Sequence, residues 1–126
     1  MKSNSTSLKS KYEVRTLEEF QIGFLQIIGI YKYGGLGNQD AEFIQQEVNS
    51  MLNDKNINGL VVDFTQMSYE WGNAIFNTLN TLYSSKVPCS VIYSEKCAAL
   101  FGGDDPLAFK SDEAAIAKII ANITAQ

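Results

Sequence analysis

NGLVVDFTQMSYEWGNAIFNTLNTLY, residues 58–83, is the stretch whose reading decides the fold. Leu60, Val61, Val62 and Phe64 make a short apolar run interrupted only by Asp63. Such a run reads as a strand over residues 60–64 that is covered on both faces. Ile75, Phe76, Leu79, Leu82 and Tyr83 then recur at helical spacing. That spacing predicts an amphipathic helix over residues 69–85. Ser68 is the expected N-cap, and Glu70 falls in the first turn, where the helix end favours negative charge. Lys86-Val87-Pro88 ends the helix, because proline clashes with a preceding turn and lacks an N–H.

Working outward, residues 24–31 (FLQIIGIY) read as a second buried strand, and Gly29 within it marks a bulge or a closely approaching backbone. Residues 11–17 predict an edge strand, and residues 18–23 a turn or bend. Residues 1–10 are polar, and a mobile tail is expected there, ahead of a single domain over residues 11–126. Gly34, Gly35 and Gly37 break the chain before a helix over residues 39–53, with Asn38 as its expected cap and Ala41, Ile44, Val48, Met51 and Leu52 as its apolar face. Asp40 and Glu42 fall near its positive end. Residues 89–93 read as a strand, 95–101 as a short helix and 107–109 as a short strand. Ser111 is the expected cap of a last helix, with Asp112 and Glu113 in its first turn and Ile116, Ile119, Ile120 and Ile123 on its buried side. The order β-β-α-β-α-β-α-β-α predicts an α/β fold with a mainly parallel sheet of four to five strands and helices packed on it.

Composition narrows the chemistry. The chain has no histidine, which removes Ser-His and Cys-His nucleophile pairs, His acid-base catalysis and His-ligated zinc. One pair of cysteines, Cys89 and Cys97, makes no disulfide framework, and with no secretory signal they are expected to be reduced, structural thiols. No apolar run reaches the roughly 18 residues of a membrane helix. The N-terminal MKSNSTSLKSK has no apolar segment of the secretory type, so a cytoplasmic location is the expectation. Lys2, Lys9, Lys11 and Arg15 against Glu13 give residues 1–15 a net charge of +3, leaving −7 on the other 111 residues. A body this acidic repels nucleic acid and could attract a basic protein surface, although acidity that keeps a small protein soluble is the commoner cause.

Several blocks resemble the STAS domain, the fold of bacterial anti-sigma-factor antagonists and of sulfate-transporter cytoplasmic tails. Val61-Val62-Asp63-Phe64-Thr65-Gln66-Met67 is similar to that family's strand written V-L-D-L-S-G-V. Cys89-Ser90-Val91-Ile92-Tyr93 resembles its next strand. Ala98 to Phe101 with Gly102-Gly103 resembles its short helix and glycine turn, and Phe109-Lys110-Ser111-Asp112-Glu113-Ala114-Ala115 its approach to the last helix. The resemblance implies a STAS-like sheet and a regulatory, protein-binding role over residues 20–125. It also implies a phosphorylatable Ser or Thr at the start of the central helix. This chain has Tyr69-Glu70-Trp71-Gly72 there, and only Gly72 matches, so a kinase switch at that place is put in doubt. Glu70 could stand in for a permanent phosphate charge only in part, because it carries less charge and fewer acceptor oxygens.

Tyr69, Glu70, Trp71 and Asn73 should lie where a strand's carboxyl end meets a helix start, the usual place for a site in an open α/β sheet. Trp71 either anchors a partner there or caps the core beneath the loop. Asp104 and Asp105 are expected to join that edge as adjacent acidic surface, and with Asp63 and Glu70 they raise the question of a hard cation. Asp-Asp-Pro after Gly-Gly is more often a plain turn, so neither a metal nor a cofactor is expected. The glycine run at residues 34–37 lacks the Gly-Lys-Ser/Thr ending of a phosphate loop. The leading expectation is a non-enzymatic domain that binds another protein through Tyr69–Trp71. The alternatives are an immunity protein that neutralises a basic toxin such as a nuclease, and a small-ligand or nucleotide binder. The edge strand would also allow a homodimer.

Overall fold

The structure, a computed structural model, describes residues 6–101 and 105–125. Five strands form one sheet in the order β1-β2-β3-β4-β5: Lys9–Leu17, Phe20–Ile30, Gly59–Ser68, Cys89–Ile92 and Ala108–Phe109. β1 is antiparallel to β2, and every other pair is parallel. Three α-helices cover the sheet: α1 (Asn38–Leu52), α2 (Phe76–Ser84) and α3 (Asp112–Thr124). Short 3-10 segments occupy Gly34–Gly37 and Glu95–Leu100. The expected α/β architecture with a mainly parallel sheet is what the chain forms.

The monotonic strand order puts both crossover helices on one face, since right-handed β-α-β connections running in one direction stay on one side. That front core joins Ala41, Ile44 and Val48 of α1 and Leu79 and Leu82 of α2 to Leu25, Ile27, Leu60, Val62 and Val91. Behind the sheet, Ala115 and Ile119 of α3 pack on Ile22, Phe24, Val61 and Ile92. Alternate residues of β2 and β3 thus feed opposite cores, which is why both strands read as unbroken apolar runs. Each fully buried Leu, Ile or Val contributes about 1.5–3 kcal/mol of transfer free energy.

Several boundaries differ from expectation for identifiable reasons. β3 continues four residues past Phe64, through a bulge between the Gln26–Asp63 and Ile28–Gln66 pairs. The Asp63 carboxylate shapes the bulge by accepting from the Thr65 N–H (2.8 Å) and the Thr65 hydroxyl (2.7 Å). Because β3 runs on to Ser68, Ser68 is not a helix cap, and α2 begins at Phe76 rather than Tyr69. No side chain caps it. Its first N–H groups donate three residues back instead: Phe76 to Asn73, Asn77 to Ala74 and Thr78 to Ile75. On α2 Thr78 is buried and bonded to Gln45 of α1 at 2.7 Å, while Phe76 and Tyr83, expected on the apolar stripe, are exposed. Gly37, not Asn38, precedes α1, because the glycine run is itself a 3-10 turn that leads straight into the helix. Ser111 does cap α3, accepting from the Ala114 N–H at 3.2 Å.

Of the mobile tail expected over residues 1–10, residues 1–5 lie outside the described residues, and residues 6–10 pack on the domain. β1 starts at Lys9, Leu8 is buried in the front core, and the Thr6 hydroxyl donates to Asp40. Leu8 packs where Gly29 (φ +129°) brings its backbone close, as the glycine within that strand suggested. The turn between β1 and β2 is only Glu18 and Glu19, both at positive φ, so residues 20–23 belong to β2. Among the described residues no helix is long and apolar enough to cross a membrane.

Candidate functional site

β2, β3 and β4 are parallel, so their carboxyl ends lie at one edge of the sheet. There the chains leaving β2 and β3 stay side by side. The Tyr31 N–H donates to the Ser68 carbonyl (2.9 Å), and three residues later the Gly34 N–H donates to the Trp71 carbonyl (3.1 Å). On the other flank the Tyr69 N–H donates to the Lys96 carbonyl (2.9 Å), which ties in the 3-10 segment after β4.

The first residue past each strand turns inward. Tyr31 and Tyr69 are both buried and meet edge to face, with ring centroids 5.2 Å apart. The Tyr69 hydroxyl donates to the Gly72 carbonyl at 2.6 Å and pulls the loop down onto the sheet. The Tyr31 hydroxyl is enclosed without a well-formed hydrogen bond. Burial pushes its pKa up to about 12, only partly opposed by the nearby Ile75 backbone.

Two residues further on, the side chains face water. Trp71 is 61% exposed and Tyr33 is 52% exposed, and their rings stack nearly parallel (12°) with centroids 6.5 Å apart. This stack depends on glycine. Gly34 has φ +51°, and a methyl there would fall 2.6 Å from the Trp71 indole. Gly72 has φ +143°, a region that side chains rarely adopt. Glu70 lies against the Tyr33 hydroxyl, and this contact raises the tyrosine pKa. Ile30 at the end of β2, Leu36 in the glycine turn and Phe76 at the start of α2 add exposed apolar side chains on the flanking segments.

An ion pair with one buried partner holds the base of the Tyr33 loop. Asp40, fully enclosed in the first turn of α1, accepts from the Lys32 N–H (2.9 Å), the Lys32 ammonium (3.0 Å) and the Thr6 hydroxyl. The positive end of the helix and three donors offset the cost of burying a carboxylate. Asp40 is thus a structural group that links α1, the loop and the N-terminal segment.

The other expected site residues separate. Asn73 is exposed on the loop, and its carbonyl accepts from the Phe76 N–H. Asp104 lies outside the described residues. Asp105 does not join the edge of Tyr69, Glu70 and Trp71. β5 is parallel to β4, so the connection must first return to the opposite edge, and Asp105 there bonds the Tyr83 hydroxyl near the end of α2 and caps the Leu107 N–H at 2.9 Å. Asp63 is occupied by the bulge. Among the described residues no three His, Cys, Asp or Glu side chains converge as a metal site would require. Cys89 and Cys97 are buried and unpaired. Burial pushes the Cys89 thiol up to about 11 and raises Cys97 as well, so neither is a ready thiolate near neutral pH. Behind the sheet a groove of about 310 Å³ runs between Lys11, Arg15, Gln26, Asp63 and Asp112, with charges of both signs on its walls.

Tyr33 and Asp40 are the residues that sequence reasoning undervalued. The signal for Tyr33 was present: Tyr-Lys-Tyr before a glycine run, at the end of a strand adjacent to the one that leads to Tyr69 and Trp71. Nothing local marked Asp40 as buried, because its partners come from the loop and from Thr6.

No protein-family model matches the sequence, and no curated protein matches it. Solved structures do match. An anti-sigma factor antagonist from Mycobacterium paratuberculosis is 15% identical, with a TM-score of 0.64 over 90% of this chain and 95% of that one. A protein of the DUF3478 family with a SpoIIAA-like fold, from Shewanella loihica PV-4, is 11% identical with a TM-score of 0.45 over 94% and 99% of the two chains. The first likeness is one of fold, and the fold of this chain is STAS-like.

Proposed function

We propose that this chain is a non-enzymatic regulatory domain that binds another protein at the carboxyl edge of its sheet. Trp71 and Tyr33 are the anchors, and Glu70 and Asn73 form the polar rim. The observation that carries this reading is the stacked, solvent-facing Trp71–Tyr33 pair, braced by Gly34 and Gly72. Large aromatic side chains held rigidly on a surface lose little entropy on binding, and Trp and Tyr dominate binding energy at protein interfaces. A likeness in fold to a protein named as an anti-sigma factor antagonist is in keeping with a regulatory, protein-binding role.

The partner's contact surface is basic in this reading. Glu70 stands beside two exposed π-faces, an arrangement that suits an incoming arginine or lysine. Residues 16–126 carry a net −7, which steers a cationic surface toward the domain. Affinity capture from host extract, with wild-type protein and the variant Trp71→Ala side by side, tests the assignment. A partner retained by the wild type and weakened by roughly 2 kcal/mol or more in the variant is the expected result. Equal retention by a folded Trp71→Ala would remove this edge as the binding site.

A further inference from the structure

The two edges of the sheet are unlike. β5 has two residues and offers little to a second chain. β1 has nine, its side chains are mostly exposed, and among the described residues nothing pairs with its outer side. A long open edge presents a row of free N–H and C=O groups and is a template for another strand. Its sequence, KSKYEVRTL, is followed by Glu18 and Glu19 at φ +48° and +66°. A two-residue turn of this kind favours Asn-Gly, and glutamates at positive φ are strained. Among the described residues no hydrogen bond or ion pair accounts for glutamates at these two positions.

We propose that β1 pairs antiparallel with β1 of a second copy, about a two-fold axis through Val14, to make one continuous ten-stranded sheet. An axis perpendicular to the sheet keeps the faces matched, so residues equidistant from it stand opposite one another. With the axis at Val14, Glu13 faces Arg15 twice, Tyr12 faces Thr16 and Lys11 faces Leu17. Lys9 then comes beside Glu19, and Ser10 beside Glu18. Glu13 and Arg15 already bond at 3.0 Å within one chain, and Arg15 lies over the Phe24 ring on the back of the sheet. Pairing two copies builds an alternating cluster of four charges on that face. Neighbouring registers are worse: an axis at Tyr12 sets Lys9 against Arg15, one at Glu13 sets Glu13 against itself and Lys11 against Arg15, and one at Arg15 sets Arg15 against itself. Opposite charges directly across strands are favourable and like charges unfavourable, so the pattern selects both the partner and the register. It also gives the turn glutamates a role, as the counter-charge for the basic start of the partner's strand.

Sedimentation equilibrium of the full chain tests the pairing. Wild type is expected to dimerise in the micromolar-to-millimolar range. Arg15→Glu sets glutamates opposite one another at both pairs and should weaken the dimer roughly tenfold or more. The double variant Glu13→Arg with Arg15→Glu restores both pairs and should recover dimerisation, with circular dichroism confirming the fold of each. Val14→Cys reports the register. Opposed residues lie about 4.5–5.5 Å apart between Cα atoms, within disulfide reach, so copper–phenanthroline should link two copies through Cys at position 14 faster than through Ser10→Cys. A monomeric wild type, a dimer insensitive to Arg15→Glu, a swap that folds without recovering the dimer, or equal cross-linking at both positions would each overturn the proposal.

Discussion

The carboxyl edge of the sheet carries two pairs of aromatic rings, two residues apart on the same two segments, with opposite fates. Tyr31 and Tyr69 meet edge to face inside the front core, whereas Tyr33 and Trp71 stack in water. The inner pair is still held as in a strand, by bonds from Tyr31 to Ser68 and from Tyr69 to Lys96. Beyond it Gly34 and Gly72 take conformations closed to most side chains, and the side chains of Tyr33 and Trp71 point into water. Residue type therefore does not separate a core aromatic from a surface one here. Position along the two segments does: residues 31 and 69 turn inward and residues 33 and 71 outward.

Tyr69→Ala should break the comparison most severely. It removes a buried ring and the bond to Gly72, at a cost of roughly 3–5 kcal/mol in chemical denaturation. A cost under about 1 kcal/mol would mean that the inner pair is not part of the core. Gly34→Ala attacks the boundary between the pairs. Its positive φ and the clash with the indole should cost about 1–2 kcal/mol and displace Trp71, visible as a change in the emission of the sole tryptophan. An unchanged spectrum would argue against the close packing of Gly34 on the ring.

Tyr31→Phe sharpens the contrast from inside. It removes a buried hydroxyl without a well-formed bond, so its effect at neutral pH should lie between nil and about 1 kcal/mol of stabilisation. A tyrosine whose folded pKa is raised favours the folded state fully below its unfolded pKa of 10 and loses that contribution as pH climbs to about 12. Wild type should therefore lose stability across that window more steeply than Tyr31→Phe. Parallel alkaline curves for the two proteins would show that Tyr31 is not the group responsible. The smallest effect is expected for Trp71→Ala, within about 0.5 kcal/mol of wild type, since its ring is mostly in water. A loss of several kcal/mol would show that Trp71 serves the core and not the surface.

Tyr69–Trp71 follow the carboxyl end of a strand, as their sequence suggests, but they do not start a helix. Residues 69–75 carry apolar side chains at intervals that a helix could use, so the helix was expected seven residues early. The bulge at Asp63–Thr65 let β3 run on to Ser68, and a bulge depends on the partner strand, which local periodicity does not contain. Asp105 was expected beside Trp71 because both follow strands. A parallel β5 requires the chain to cross the sheet first, and Asp105 ends up against Tyr83. The basic N-terminal charge, ascribed in part to a tail, is built largely into β1 through Lys9, Lys11 and Arg15.

By itself the sequence determined the order of strands and helices, the two-sided burial of β2 and β3, the Ser111 cap and the absence of histidine chemistry. Each of these is set by residue type and by spacing within a few positions. Only the tertiary structure decided which tyrosines are buried, that Asp40 is sealed against Lys32 and Thr6, and that Tyr33 stands against Trp71. Those outcomes depend on strand register, chain direction and contacts between distant segments, where packing and desolvation act on groups that no local pattern brings together.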